Sequence, residues 1–207
     1  MTDAETLIAC LYIKGFGKTE ALSEALGEPA EAVDAVLTEL FASGNAEQTR
    51  VGARLSAQGK VLAQEKLAAE RASVDHRRLE EEYERFTKLN ADFKALVTDW
   101  QMREVDGKRT LNDHKDEVYD MEVLSRLAAL HALTETLIDD ISVHAPRIGA
   151  YKRRLASALV KIEAKDPRYV TAPDRDSYHT VWFELHQHLI NLLGTTREQE
   201  AAAGRAL

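Results

Sequence analysis

The sequence predicts a mainly α protein in two parts. Residues 1–72 read as three short helices with a small β-ribbon, and residues 73–207 as an antiparallel helical bundle. Three observations predict this. Short apolar stripes at helical spacing, each closed by glycine, fill residues 3–44; a polar stretch centred on Gly52 follows; and four longer apolar stripes occupy the remainder. At 207 residues the chain is long enough for two modest cores.

The first helix spans about Asp3 to Phe16, with Leu7 and Leu11, Ile8 and Tyr12 at helical spacing and Gly15 and Gly17 to end it. A second fits Lys18 to Leu26, closed by Gly27. A third runs from Pro29, whose missing N–H suits a first turn, to Ala42 before Ser43-Gly44. In "NAEQTRVGARLSAQGK" two short polar stretches flank Gly52 as a ribbon, and Ser56 caps a helix running toward Arg71. Beyond it, Tyr83 to Trp100, Val123 to Ile141, Ile148 to Ile162 and residues 176–193 each carry an apolar stripe, and four amphipathic helices of this kind bury one another's faces. Two connections, "DGKRTLNDHKD" and "KDPRYVTAPDR", read as long loops that lead into helices with unusual polar residues.

Composition narrows the functional classes. Hydrophobic residues make up 44% and charged ones 30%, which argues against wholesale disorder. No apolar run approaches the roughly 20 residues that cross a bilayer, and the N-terminus lacks a basic segment before an apolar one, so the expected location is cytoplasmic, with no membrane partner. The single cysteine, Cys10, lies between apolar neighbours and reads as a small buried hydrophobe. The net charge of −8 disfavours a general nucleic-acid binder without excluding a local basic patch.

Three short helices, a ribbon and a long exit helix make a winged-helix pattern, and "ARLSAQGKVLAQE" resembles the wing-to-helix junction of MarR-like and PadR-like regulators. A helix-turn-helix lays its second helix in the major groove and holds phosphates with Lys and Arg. The candidate reading helix, "PAEAVDAVLTELFASG", carries Glu31, Asp34 and Glu39 and no basic residue. Residues 1–72 contain seven Lys/Arg against eleven Asp/Glu, with only Arg50 and Arg54 beside the wing. Such a surface repels a polyanion, so a protein-docking role competes with DNA reading.

Chemistry-bearing residues concentrate in the second part. In "DSYHTVWFELHQHL", His179 and His186 lie seven residues apart, about 20° on one helical stripe, with Phe183 continuing it and Trp182 on an adjacent apolar stripe. His188 falls on another face near Glu184 and reads as a boundary residue. His131 follows Leu127 by four residues, while Asp120 precedes it by eleven on nearly the same face. With Asn90 and Trp100 inward as well, the interior gathers more polarity than a purely apolar core requires, as in a small-molecule pocket. "NDHKDEVYD" adds Asp113, His114, Asp116 and Asp120 at a helix start, which reads first as an acidic N-terminal turn that favours the helix dipole with Asp116 as its cap, a ligand-contacting lid being the other reading. Their spacing matches no standard zinc or calcium pattern, so no metal site is assigned. Arg147, Lys152, Arg153, Arg154 and Lys161 read as a solvated face, with docking of an acidic partner or phosphate as the other reading. No phosphate loop, paired-glycine fingerprint, nucleophile elbow or CxxC motif appears, so the chain does not read as a complete enzyme.

Taken together, "KGFGKTEALSEALG", "LVTDWQ", "NDHKDEVYD", "RLAALH" and "DSYHTVWFELHQHLINLLGTTREQEAAAGRA" resemble a bacterial segment associated with pyruvate phosphate dikinase and phosphoenolpyruvate synthase-like phosphotransferases. The resemblance implies an accessory subunit that binds the acceptor, a small phenolic or aromatic molecule. A larger ATP-grasp and phosphohistidine partner would then hold ATP and Mg, leaving this chain without a cofactor. Under that reading His131 and His186 are the catalytic candidates, and Trp100, Asp113, His114, Asp120, His179 and Trp182 contact substrate. A ligand-responsive winged-helix regulator is the alternative, and an interaction scaffold a third reading.

Overall fold

The computed structural model describes residues 3–202 and 204, and among them the protein is mainly α. The first part comprises α1 (Ala4–Lys14), α2 (Thr19–Leu26), α3 (Ala30–Ala42), β1 (Ala46–Thr49), β2 (Gly52–Leu55) and α4 (Ala57–Ser73). Asp3 caps α1 by accepting from Thr6 N, and Ser56 caps α4 by accepting from Gly59 N, as its position in the sequence predicts. β1 and β2 pair antiparallel from Ala46↔Leu55 to Thr49↔Gly52, and Ala53 exchanges both backbone hydrogen bonds with Gly17. Gly52, at φ +132°, sits so close to the Gly17 backbone that a Cβ would stand 2.5 Å from its carbonyl. Leu7, Leu11, Leu22, Val33, Leu37, Leu40 and Leu55 form the core of this part.

The second part contains α5 (His76–Gln101), β3 (Met102–Val105), β4 (Lys108–Leu111), α6 (Glu117–Ser142), a 3-10 turn (Pro146–Gly149), α7 (Ala150–Glu163), α8 (Arg168–Thr171), α9 (Tyr178–Leu193) and α10 (Arg197–Ala202). Asp75 and Asp116 cap α5 and α6. Ion pairs join Arg85 to Asp140 and Asp99 to Arg126, so position rises along α5 as it falls along α6 and the two helices run antiparallel. Both connections that the sequence predicts as loops hold regular structure. The first folds as the β3–β4 hairpin, turned by Asp106 at φ +52° and Gly107 at φ +72°, the pair of positive angles that suits a tight hairpin. The second contains α8, which buries Val170 in the helical core.

The two cores meet where α9 packs on α1 and α4, and α2 on α7. This junction is polar. Lys14 bonds to Asp176 at 2.8 Å and Glu184 at 2.7 Å, and Arg154 bonds to Asp176 through Nε at 2.7 Å and to Glu184 at 2.8 Å. Arg153 donates to the Glu24 and Ala25 carbonyls, capping α2. The basic run therefore divides. Arg154 is buried, contrary to a wholly solvated face, because the carboxylates of α9 and its approach neutralise it. No helix among the described residues is long and apolar enough to cross a membrane.

Candidate functional site

The last turn of α5, the end of the hairpin and the first turn of α6 converge on one side chain, His114. β4 ends at Leu111, and Asn112 N then donates to the Gln101 carbonyl at 2.9 Å. The Asn112 amide nitrogen reaches the Trp100 carbonyl at 3.1 Å and Asp120 Oδ1 at 2.7 Å, while its Oδ1 accepts from His114 N at 3.1 Å. This turn holds His114 at φ +54°, a left-handed conformation that costs a non-glycine residue stabilisation and is over-determined here by Asn112. The ring then lies 4.4 Å from the buried Trp100 indole, centroid to centroid.

His114 Nδ1 is 2.9 Å from Asp120 Oδ2. An ionised carboxylate can only accept, so Nδ1 carries the proton and Nε2 of the neutral ring holds the lone pair. No described residue bonds to Nε2, and the imidazole is 40% exposed while Asp120 is 15% exposed. The contact fixes the tautomer of the ring and turns Nε2 away from the carboxylate toward the surface. Asp113 lies on the other side of the loop, bonded to Arg103 at 3.0 Å; the Lys115 backbone and Arg103 hold its carboxyl below the ordinary carboxylate range. Arg103 also reaches Asp116 at 3.3 Å, tying the hairpin to the α6 cap.

Trp100, Asp113, His114 and Asp120 are thus brought together. His131, His179, Trp182 and His186 lie in the helical interior, where aromatic rings fill the space between α5 and α9. Tyr83, Phe86, Trp182, Phe93 and Tyr178 follow one another in ring contact, with Phe93 and Trp182 only 4.5 Å apart. Trp182 donates to Asn90 at 2.9 Å. His186 is fully buried, and its Nε2 lies 2.9 Å from the Tyr83 hydroxyl, which itself donates to Glu200 at 2.6 Å. Since the hydroxyl spends its proton on Glu200, it accepts from His186 Nε2–H. Burial, with nearby Arg197, pushes the His186 pKa down to about 4. His131 faces the Tyr178 hydroxyl at 3.2 Å, and burial lowers its pKa as well. His179 is half-buried against Phe93, and burial lowers its pKa too.

Three placements correct the helical stripes drawn from α9. His188 is buried and contacts Tyr151 instead of marking a boundary, because α7 covers that face. Glu184, on the face read as a boundary, is likewise buried, in the junction. Phe183 points outward at 40% exposure under the Arg197 guanidinium, so the His179 stripe is not wholly inward. Asn112 and the ion network of Lys14, Arg154, Asp176 and Glu184 escaped sequence reasoning. Arg154 alone left a signal, three residues after Tyr151 and four before Ala158 on the apolar stripe of α7.

Among the described residues no group of three or more His, Cys, Asp or Glu could hold a metal ion. Comparison with protein-family models, with curated proteins and with solved structures finds no match to this chain.

Proposed function

We propose that this chain is an accessory, acceptor-binding subunit of an ATP-dependent, dikinase-like phosphotransferase, with residues 1–72 as a winged-helix docking module and His114 as the base that receives the acceptor's proton. The observation that carries the chemistry is the 2.9 Å contact from His114 Nδ1 to Asp120, which leaves Nε2 with a free lone pair at the surface. ATP, Mg and the phosphohistidine belong to the larger partner in this reading. As the partner's N–P bond breaks and the acceptor O–P bond forms, the hydroxyl proton passes to His114 Nε2 and Asp120 stabilises the imidazolium. An aromatic acceptor is favoured by the Trp100 ring behind His114 and by exposed Leu111 and Val118, which flank it in the chain at 77% and 76% exposure. This assignment moves the base from the packed interior, where His131 and His186 spend ring nitrogens on tyrosines, to the hairpin end of α5 and α6.

Docking to protein is favoured by α3, whose exposed face carries Glu31, Asp34, Thr38 and Glu39, and by Arg54, which is spent on Glu47 at 2.6 Å. The test is a pull-down followed by reconstitution with the captured ATP-grasp subunit. His114→Gln should lower phosphotransfer about 10²–10⁴-fold while the partner's own autophosphorylation is unchanged. Unaltered phosphotransfer removes His114 from the mechanism, and salt-sensitive, sequence-specific DNA binding by the isolated chain would replace the reading with a winged-helix regulator.

A further inference from the structure

We propose that the cleft between the two parts, walled by α1 and α2 on one side and α7 and α9 on the other, binds a small uncharged molecule carrying one hydroxyl on an apolar body of about one ring. This site is separate from His114. The cleft, partly open to solvent, offers about 120 Å³. An apolar cavity of roughly 150 Å³ is known to accept benzene, so the space suits a single ring or a branched alcohol and nothing much larger.

Its lining is mostly apolar, with Ala9, Ile13, Ala25, Leu26 and Ala150, beside the charged Arg147, Arg154 and Glu184 and the two buried uncharged polar side chains Tyr151 and His188. These two polar side chains are almost wholly buried, yet every hydrogen bond they make is long. The Tyr151 hydroxyl is 3.4 Å from the Glu184 carbonyl and 3.3 Å from His188 Nδ1, and His188 Nε2 is 3.5 Å from Glu70 Oε2. Good O–H···O bonds fall near 2.7–2.8 Å, and the neighbouring ion network spans 2.7–3.0 Å, so bonding capacity at these two side chains is left over. A ligand hydroxyl could both donate to and accept from this group of atoms.

The charges at the cleft select against an ion. Arg154 is matched by Asp176 and Glu184, and Arg147 by Glu70 at 2.8 Å, so an entering charge would lose its hydration and find no spare counter-ion. Cys10, which also lines the cleft, is a neutral thiol because burial pushes its pKa up to about 11. Since the walls come from both parts, an occupant would hold the N-terminal unit against the helical one and stabilise the fold by mass action.

The test is amide NMR titration and thermal unfolding of the whole chain at neutral pH with phenol and cyclohexanol, against toluene as the size-matched apolar probe and benzoate and benzylammonium as charged single-ring probes. Phenol or cyclohexanol should give saturable shifts confined to α1, α2, α7 and α9 and raise Tm. Toluene should bind at least about fivefold more weakly, and the charged probes not at all. Tyr151→Phe, which removes one oxygen, should weaken phenol by about five- to tenfold, the worth of one neutral hydrogen bond. Ala150→Leu should close the cleft and abolish the shifts; were that variant to misfold, Tyr151→Phe and the toluene comparison still decide. Non-saturating shifts spread over the surface overturn the site, and benzoate binding as tightly as phenol overturns its neutrality.

Discussion

Two histidines illustrate how a single side chain acquires a role from its partners. His114 is exposed and backed by a carboxylate, while His186 is sealed between Phe86 and Tyr83. Asp120→Asn keeps the shape of the first site but lets the amide donate to Nδ1, which turns the lone pair inward. In the reconstituted complex this should lower kcat about 10²–10⁴-fold with little change in KM, and an unchanged kcat would remove Asp120 as the orienting group. For His186 the consequence is pH-dependent stability. Its folded pKa of about 4 lies below an unfolded value near 6.5, so the unfolded chain binds the extra proton first. Its contribution is therefore full above about pH 6.5, falls as pH drops toward 4, and is worth up to about 3 kcal/mol across that window. Chemical denaturation across pH should show this slope, and His186→Gln should flatten it; an equal slope in the variant would assign the loss elsewhere. His131 and His179, lowered by burial too, add in the same direction.

At the scale of elements, the β3–β4 hairpin decides where His114 sits. Asp106-Gly107 is a strong hairpin signal, yet the strands beside it, Arg103-Glu104-Val105 and Lys108-Arg109-Thr110, are too polar and short to mark themselves. Their pairing arises because antiparallel α5 and α6 bring the two ends together. A Cβ on Gly107 would meet nothing within 4 Å, so Gly107→Ala tests backbone conformation alone at φ +72°. It should cost about 1–2 kcal/mol and blur the amide signals of Asn112 and His114 before those of the core; a stability equal to the parent would show that the turn does not fix the site. The longer helices were legible, whereas the short α8 and α10 were not. Asp116 caps α6 and Ser56 caps α4 because a side chain that accepts from an N–H three residues on is a local device, readable without the fold. Directions on α9 were less legible, since helical spacing places Glu184 and His188 on a face but does not say that α7 and Lys14 cover it.

For the whole molecule, the junction of the two parts determines how rigidly they are joined. Lys14, Arg154, Asp176 and Glu184 form a closed ring of buried charges in which each cation meets both anions. Burial opposes all of these charges, yet Glu184 and Asp176 outweigh it for Lys14, raising its pKa, and Arg154 outweighs it for Asp176, lowering its own. Asp176→Asn leaves the cations under-compensated and should cost about 3–5 kcal/mol, read by urea denaturation, whereas a loss under 1 kcal/mol would mean that water reaches the ring. By itself the sequence determined the mainly helical class, the long helices with caps such as Ser56 and Asp116, and the close spacing of Asp113, His114 and Asp120, because stripes, caps and closely spaced residues act over a few turns, whereas Trp100 was read with the interior histidines and only the fold set it beside His114. Only the tertiary structure decided that the interior histidines are packed between rings, that Asn112 and Asp120 orient His114, and that four distant charges and a small cleft lie between the parts. Those outcomes depend on which faces meet across long stretches of chain, and periodicity gives a face its polarity without giving it a partner.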